Sequence, residues 1–206
     1  MSPQEKFTQG LLALGLDLPP ATQQKLIDYL DLLLKWNKVH NLTAVRNIED
    51  MVTLHLLDSL VVLPHIQPGN LLDVGSGAGL PGIPLALVRP DLEITLLDSN
   101  HKKSAFQRQA KAVLGLGNVQ VVCSRVEDFR PEQKFGQIIS RAFSELAEFV
   151  RLTRNLIADQ GQWLAMKGVY PADEIARLKD LSVDVVPLCV PGLEAQRHLV
   201  FLKAKL

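Results

Sequence analysis

The stretch Leu71-Leu72-Asp73-Val74-Gly75-Ser76-Gly77-Ala78-Gly79-Leu80-Pro81-Gly82 decides how this 206-residue chain is read. An apolar run of strand character ends in a glycine-rich turn, and a helix is expected to begin between Leu80 and Pro84. Glycines admit positive φ and let a ligand approach the backbone with no Cβ in the way. The helix start that follows offers unpaired N–H groups to a negatively charged group. In a doubly wound fold, ligands bind at this carboxyl end of a parallel strand.

Working outward, short apolar runs alternate with helical stretches from Gly69 onward. The runs are 71–74, 92–97, 119–123, 137–140 and 163–166, and the helices are expected near 80–89, 101–115, 144–158 and 171–181. Such alternation means a parallel sheet with helices on both faces. Val183 to Val190 and His198 to Lys203 are two further strand-like runs, with only residues 191–197 between them. That gap is too short for a crossover helix, so the pair should be an antiparallel hairpin. The fold class is α/β: a Rossmann-like sheet of seven strands ending in an antiparallel hairpin.

Residues 1–66 read as a helical extension packed on a core of residues 67–206. Between Ala21 and Lys38, Leu26, Leu30, Leu33 or Leu34, and Trp36 or Asn37 recur at helical spacing behind Pro19-Pro20, which suits a helix start. A second helix is expected after Asn47, an N-cap with Asp50 three residues on. It carries Met51, Leu54, Leu57, Leu60 and Leu63 as one stripe and stops at Pro64. These helices are expected to cap the site.

Hydrophobic residues at 47% and charged residues at 21% exclude disorder, and 22 basic against 22 acidic residues leave a formal net charge of +0. The charge is nevertheless uneven. Residues 1–60 hold 5 Lys+Arg against 7 Asp+Glu, while residues 102–154 hold 10 against 5, as a one-sided basic surface for a phosphate backbone would require. Cys123 and Cys189 cannot form a disulfide framework or a four-ligand zinc site. Each lies in an apolar run and reads as a small core residue in a reducing compartment. With no leader pattern and no run of membrane-spanning length, the expected location is the cytoplasm, without membrane or metal, and nothing demands more than a monomer.

Gly77-x-Gly79-x-x-Gly82 matches the dinucleotide fingerprint, and Asp98 stands where an acid would take ribose hydroxyls. Both features suit a nicotinamide dinucleotide as well as S-adenosyl-L-methionine. The preference for the latter comes from Asp73, two residues before the first glycine, and from the terminal hairpin in place of a separate catalytic domain. Ser124-Arg125-Val126-Glu127-Asp128, after the third strand, is a second candidate contact, for the adenine edge. An NAD(P)-binding oxidoreductase and a non-catalytic rRNA-binding assembly factor remain the alternatives.

The fourth strand ends in Ile138-Ile139-Ser140-Arg141-Ala142-Phe143. Neither an Asn/Asp-Pro-Pro-aromatic stretch for an exocyclic amine nor a Pro-Cys nucleophile for a base carbon is present. The acceptor left is one already nucleophilic, such as guanine N7. Displacement at a sulfonium methyl then needs chiefly proximity and orientation, and no catalytic residue is identified.

Taken together, Trp36-Asn37-Lys38-Val39-His40-Asn41-Leu42-Thr43, His55-Leu56-Leu57-Asp58-Ser59-Leu60, Leu80-Pro81-Gly82-Ile83-Pro84, Ser124-Arg125-Val126-Glu127, Ser140-Arg141-Ala142-Phe143, Met166-Lys167-Gly168 and Arg197-His198-Leu199-Val200 resemble the RsmG (GidB) family of bacterial 16S rRNA guanine-N7 methyltransferases. The resemblance implies methylation of a guanine in the decoding-region loop of small-subunit rRNA. It also implies cofactor contacts at Gly75, Leu80, Val126, Glu127 and Arg141, which Gly77, Gly79 and Asp98 join on the physical grounds above. Arg141 would be a permanent cation for the methionine carboxylate or an RNA phosphate. Lys167, Arg197 and His198 are candidates to reach RNA across the same edge, and Lys102, Lys103, Arg108 and Lys111 are read as a helical basic face. Phe143 and Trp163 are the aromatic groups available to stack a base, although Trp163 suits the core better.

Overall fold

A computed structural model of the chain describes residues 2–141 and 144–205. The helical part comprises α1 (Pro3–Ala13), α2 (Pro20–His40), α3 (Ile48–Met51), a π-helical turn (Val52–Leu57), α4 (Asp58–Leu60) and a 3-10 turn (Leu63–His65). The rest alternates β1 (Asn70–Val74), α5 (Gly82–Val88), β2 (Glu93–Asp98), α6 (His101–Leu114), β3 (Val119–Cys123), β4 (Phe135–Ser140), α7 (Leu146–Thr153), β5 (Ile157–Lys167), α8 (Ala172–Ala176), β6 (Leu181–Leu188) and β7 (Arg197–Ala204).

The seven strands lie in the order β3-β2-β1-β4-β5-β7-β6. The first five pair in parallel, while β7 runs antiparallel to both β5 and β6. The expected hairpin is therefore present, with its second strand inserted between β5 and its own partner. Strand alternation divides the apolar side chains between two faces. Leu71, Ile94, Leu96, Ile139, Leu164 and Leu199 face α5, α6 and the N-terminal helices. Leu72, Val74, Leu97, Ile138, Trp163, Val200 and Leu202 face α7. Trp163 is core, its indole N–H donating to Thr153 Oγ1 at 2.8 Å.

The first cluster runs without a break from Phe7 and Leu11 of α1, through Leu26, Leu30 and Leu33 of α2, to Phe106 of α6. Ser2 closes a capping box with Glu5 at the start of α1, and Asn47 caps α3 through Asp50 N–H, as its spacing suggests. Tyr29 of α2 is fully buried, and its hydroxyl donates to Ala78 O of the glycine turn at 2.8 Å.

Several boundaries differ from the sequence reading. The stripe from Met51 to Leu63 is not one α-helical face. The π turn, in which Asp58 N–H reaches back to Thr53 O, widens the helix, and almost every residue from Met51 to Val62 is buried. The third crossover helix stops at Thr153, because β5 begins at Ile157 rather than Trp163. The fourth is only Ala172–Ala176, since β6 starts at Leu181. Neither cysteine is core: Cys123 is part-exposed on the edge strand β3, its Sγ 3.3 Å from His101 Nδ1, and Cys189 is exposed beyond β6. An apolar run on an edge strand covers only one of its faces, which is why the run misled. Among the described residues no helix is long and apolar enough to cross a membrane, and no group of three metal-ligating side chains occurs.

Candidate active site

The glycine turn is held by side chains from three directions. Gly75, Gly77 and Gly79 all adopt positive φ, at 66°, 59° and 84°. Gly75 N–H and Ser76 N–H donate to Leu97 O at the end of β2. Gln107 of α6 donates to Ser76 Oγ and to Gly77 O, each at 2.8 Å. Asp73 accepts from Gly82 N–H at 2.8 Å and so fixes the start of α5. A Cβ at Gly82 would collide with Leu96 Cδ2 and stand 2.8 Å from Asp73 Oδ2, which explains the glycine.

Asp98 closes the turn against β2. Its Oδ2 accepts from Gly77 N–H and its Oδ1 from Asn100 N–H, each at 2.8 Å. Asn100 in turn caps α6 through Lys102 N–H and Lys103 N–H. Beside Asp98 opens a cavity of about 470 Å³ lined by Gly75, Asp98, Ser99, Lys103, Ser124, Arg125, Val126 and Glu127, among others. Its size lies in the range of small-molecule sites.

The structure thus brings Gly75, Asp98, Val126 and Glu127 to one cavity. Gly77 and Gly79 shape the turn behind it rather than line it. Leu80 is 4% exposed and packs in the core, so its side chain does not face the cavity. Arg141 lies elsewhere, in a second cavity of about 370 Å³ with Leu54, Asp58, Met166, Lys167, Gly168 and Arg197. Arg141 Nη1 donates to Leu54 O at 2.9 Å and approaches Asp58 Oδ2 at 3.5 Å, while Arg197 Nε donates to Asp58 Oδ1 at 2.8 Å. Lys167 is paired with Glu174 at 2.9 Å. His198 Nδ1 bonds Gly168 O at 2.7 Å, and its ring meets Tyr170 edge-on.

The proposed basic face of α6 is split. Lys102 and Arg108 are exposed and Lys103 lines the first cavity, but Lys111 lines a groove at the opposite, amino end of the parallel strands. Spacings of one, six and nine residues from Lys102 place these cations at different angles around a helix. Phe143 lies outside the described residues. Asp58 does not stand out in the sequence, because nothing near it signals its two arginine partners.

Three buried groups near this edge have displaced proton affinities. Burial pushes Asp73 up to about 7, with Gly82 N–H and Arg141 opposing and Asp98 assisting. Its Oδ1 has no hydrogen-bond partner among the described residues. Burial, aided by the Arg141 charge, holds His55 down at about 4, and so neutral, with Nε2 bonded to Thr43 Oγ1 at 3.0 Å. Burial also raises Tyr29.

A parallel sheet with its reversed penultimate strand, and a glycine turn facing an acid at the end of β2, define an S-adenosyl-L-methionine-dependent methyltransferase fold. Solved structures agree on that fold. A methyltransferase of this kind from Aquifex aeolicus superposes with a TM-score of 0.59 at 20% identity, over 72% of this chain and 91% of that one. A glycopeptide N-methyltransferase does so with a TM-score of 0.61 at 13% identity, over 76% of this chain and 98% of that one. The family model for GidB, rRNA small subunit methyltransferase G, matches residues 22–200, and the chain belongs to that family. Curated relatives named ribosomal RNA small subunit methyltransferase G are 61% identical over 202 residues in Methylobacillus flagellatus (98% of either chain) and 60% identical over 198 residues in Chromobacterium violaceum (95% of either chain). The enzyme class, rather than the oxidoreductase or a binding factor without chemistry, follows from this membership.

The residues present fit the cofactor. Gly75 is exposed at the first cavity with no Cβ in the way, and Asp98 keeps lone pairs beyond its two backbone donors for ribose hydroxyls.

Proposed function

We propose that the protein methylates N7 of a guanine in the decoding-region loop of 16S rRNA, using S-adenosyl-L-methionine. The cofactor supplies an electrophilic methyl group on a sulfonium. Gly75, Asp98, Val126 and Glu127 bind its nucleoside end, with Gly77, Gly79 and Leu80 shaping the turn through their backbone. Arg141, on the strand next to β1, provides the cation nearest its methionine end.

One observation carries this reading. On a single carboxyl edge of the sheet lie a cavity of cofactor size and a second one lined by Arg141, Lys167 and Arg197, in a chain of this family. A base held between them needs orientation and exclusion of water, not deprotonation, because N7 bears an in-plane lone pair. Lys102, Lys103, Arg108 and His198 are further candidates for phosphate or base contacts around the rim. The N-terminal helices, residues 1–66, act as an extension on the methyltransferase unit of residues 67–206 and reach the site through Tyr29 and Asp58. The enzyme works as a cytoplasmic monomer, without metal.

The test is transfer from labelled S-adenosyl-L-methionine to small ribosomal subunits from cells lacking the enzyme, followed by nucleoside analysis. Label in 7-methylguanosine at one site is expected. Label in another nucleoside would refute the N7 assignment, and cofactor binding without transfer would refute the substrate.

A further inference from the structure

Asp58 is 3% exposed and carries two guanidinium groups from distant parts of the chain, Arg197 on Oδ1 at 2.8 Å and Arg141 on Oδ2 at 3.5 Å. A single carboxylate between two arginines leaves one positive charge uncompensated at the cavity. Lys167 does not add to it, being matched by Glu174. The arginines also keep unspent donors. Arg141 uses only Nη1, and Arg197 only Nε and Nη1, so Arg141 Nε and Nη2 and Arg197 Nη2 have no partner among the described residues. Both side chains are about a quarter exposed, at 26% and 23%, so those donors can meet solvent or a ligand. Planar guanidinium groups held in a fixed orientation suit an oxyanion with several acceptor oxygens.

The order of the strands separates this anion from the cofactor's own carboxylate. From the glycine turn on β1 the sheet passes to Arg141 at the end of β4, Lys167 at the end of β5, and Arg197 at the start of β7. Three strand spacings place β7 about 14 Å from β1. The two cavities share no lining residue. Arg141 can therefore serve the cofactor side, while Arg197 opens away from it.

We propose that Asp58 is a positioning residue that holds Arg197 against Arg141 as a clamp, and that a backbone phosphodiester of the RNA substrate enters the clamp. This rests on the methyltransferase reading above and adds to it the means by which the N-terminal helices act on RNA.

The experiment uses the full chain with Asp58→Asn and, separately, Arg197→Gln. Asn keeps the size but replaces one acceptor oxygen with an NH2 donor, so one of the two arginines loses its partner atom, and Arg197→Gln tests the clamp where Asp58→Asn fails to fold. Binding of small-subunit rRNA is measured against salt, with KM and kcat for methylation and S-adenosylhomocysteine affinity by calorimetry. Each variant should raise KM for RNA about tenfold or more, far more than it lowers kcat, and Arg197→Gln, which removes a cation, should also flatten the salt dependence by about one counterion. For Arg197→Gln, S-adenosylhomocysteine affinity should stay within about twofold. An unchanged salt slope in Arg197→Gln overturns the proposal. So does a tenfold loss of S-adenosylhomocysteine affinity with the slope intact, which would assign the clamp to the cofactor carboxylate. The binding titration reads the clamp without turnover, so an absence of methyl transfer by the unsubstituted chain would count against the functional reading alone.

Discussion

On the β1–β2–β3 side of the carboxyl edge, the cavity is framed by backbone. Glycines at positive φ, a helix start fixed by Asp73 and a turn tied to Asp98 give it shape through bonds between near neighbours in sequence. On the β4–β5–β7 side, the second cavity is framed by charge. Asp58 and Arg197 stand 139 positions apart and meet only because the π turn buries one and the inserted strand β7 delivers the other. The first construction is fixed by hydrogen bonds to backbone N–H groups. The second consists of ion pairs whose arginines are about a quarter exposed, so that salt can screen them. A site that takes one small cofactor and one long polyanion needs both kinds.

The comparison can be broken most directly at Asp98. Asp98→Ala removes an acceptor for Gly77 N–H and Asn100 N–H as well as for ribose. Calorimetry with S-adenosylhomocysteine should show a loss of about 1.5–3 kcal/mol. Unchanged affinity would mean that the turn holds without it. Gly82→Ala comes next, because its Cβ meets Leu96 and the Asp73 carboxylate with nowhere to go. Overpacking of this kind costs about 1–3 kcal/mol, and a urea melt should register it as a lower midpoint. Tyr29→Phe probes how far the helical part braces the turn. It deletes the bond to Ala78 O, worth about 0.5–1.5 kcal/mol, and should lower cofactor affinity slightly while leaving the salt slope for RNA untouched.

In the unsubstituted chain the smallest effect is expected from pH, because two buried groups oppose each other. Asp73 keeps its proton up to about 7 in the folded state, against 3.8 as reference, so its contribution to stability falls as pH rises from about 4 to 7. His55 stays neutral down to about 4, against 6.5, so its contribution rises with pH from about 4 to 6.5. Over the shared window the two nearly cancel in the unsubstituted chain. His55→Gln should expose the falling slope and Asp73→Asn the rising one, each at most about 1.4 kcal/mol per pH unit. Denaturant melts of the two variants between pH 4 and 7 would show slopes of opposite sign. Parallel slopes would contradict the burial argument.

Much of the α/β order was legible because hydrophobic period and turn chemistry are local. Val119–Cys123 matches its strand residue for residue, and the Asn47 cap and the terminal hairpin follow from short spacings. The failures share a cause. A helix that must wrap a crowded core turned π between Val52 and Leu57, which no stripe of leucines at spacing three reports. An apolar run does not tell an edge strand from a central one, so the sequence suggests a buried Cys123 where the fold leaves it part-exposed. Cations counted along α6 could not be assigned to a face without their angles, so Lys111 was grouped with Lys103.

By itself the sequence determined the glycine turn, the acid after β2 and the succession of strands and helices, because each depends on residues within a few turns of chain. Only the tertiary structure decided that Arg141 lies in a different cavity from Asp98, that Tyr29 reaches the glycine turn, and that Asp58 holds two arginines. Those contacts join segments tens to more than a hundred residues apart, and their geometry depends on strand order and on which face of a helix is buried.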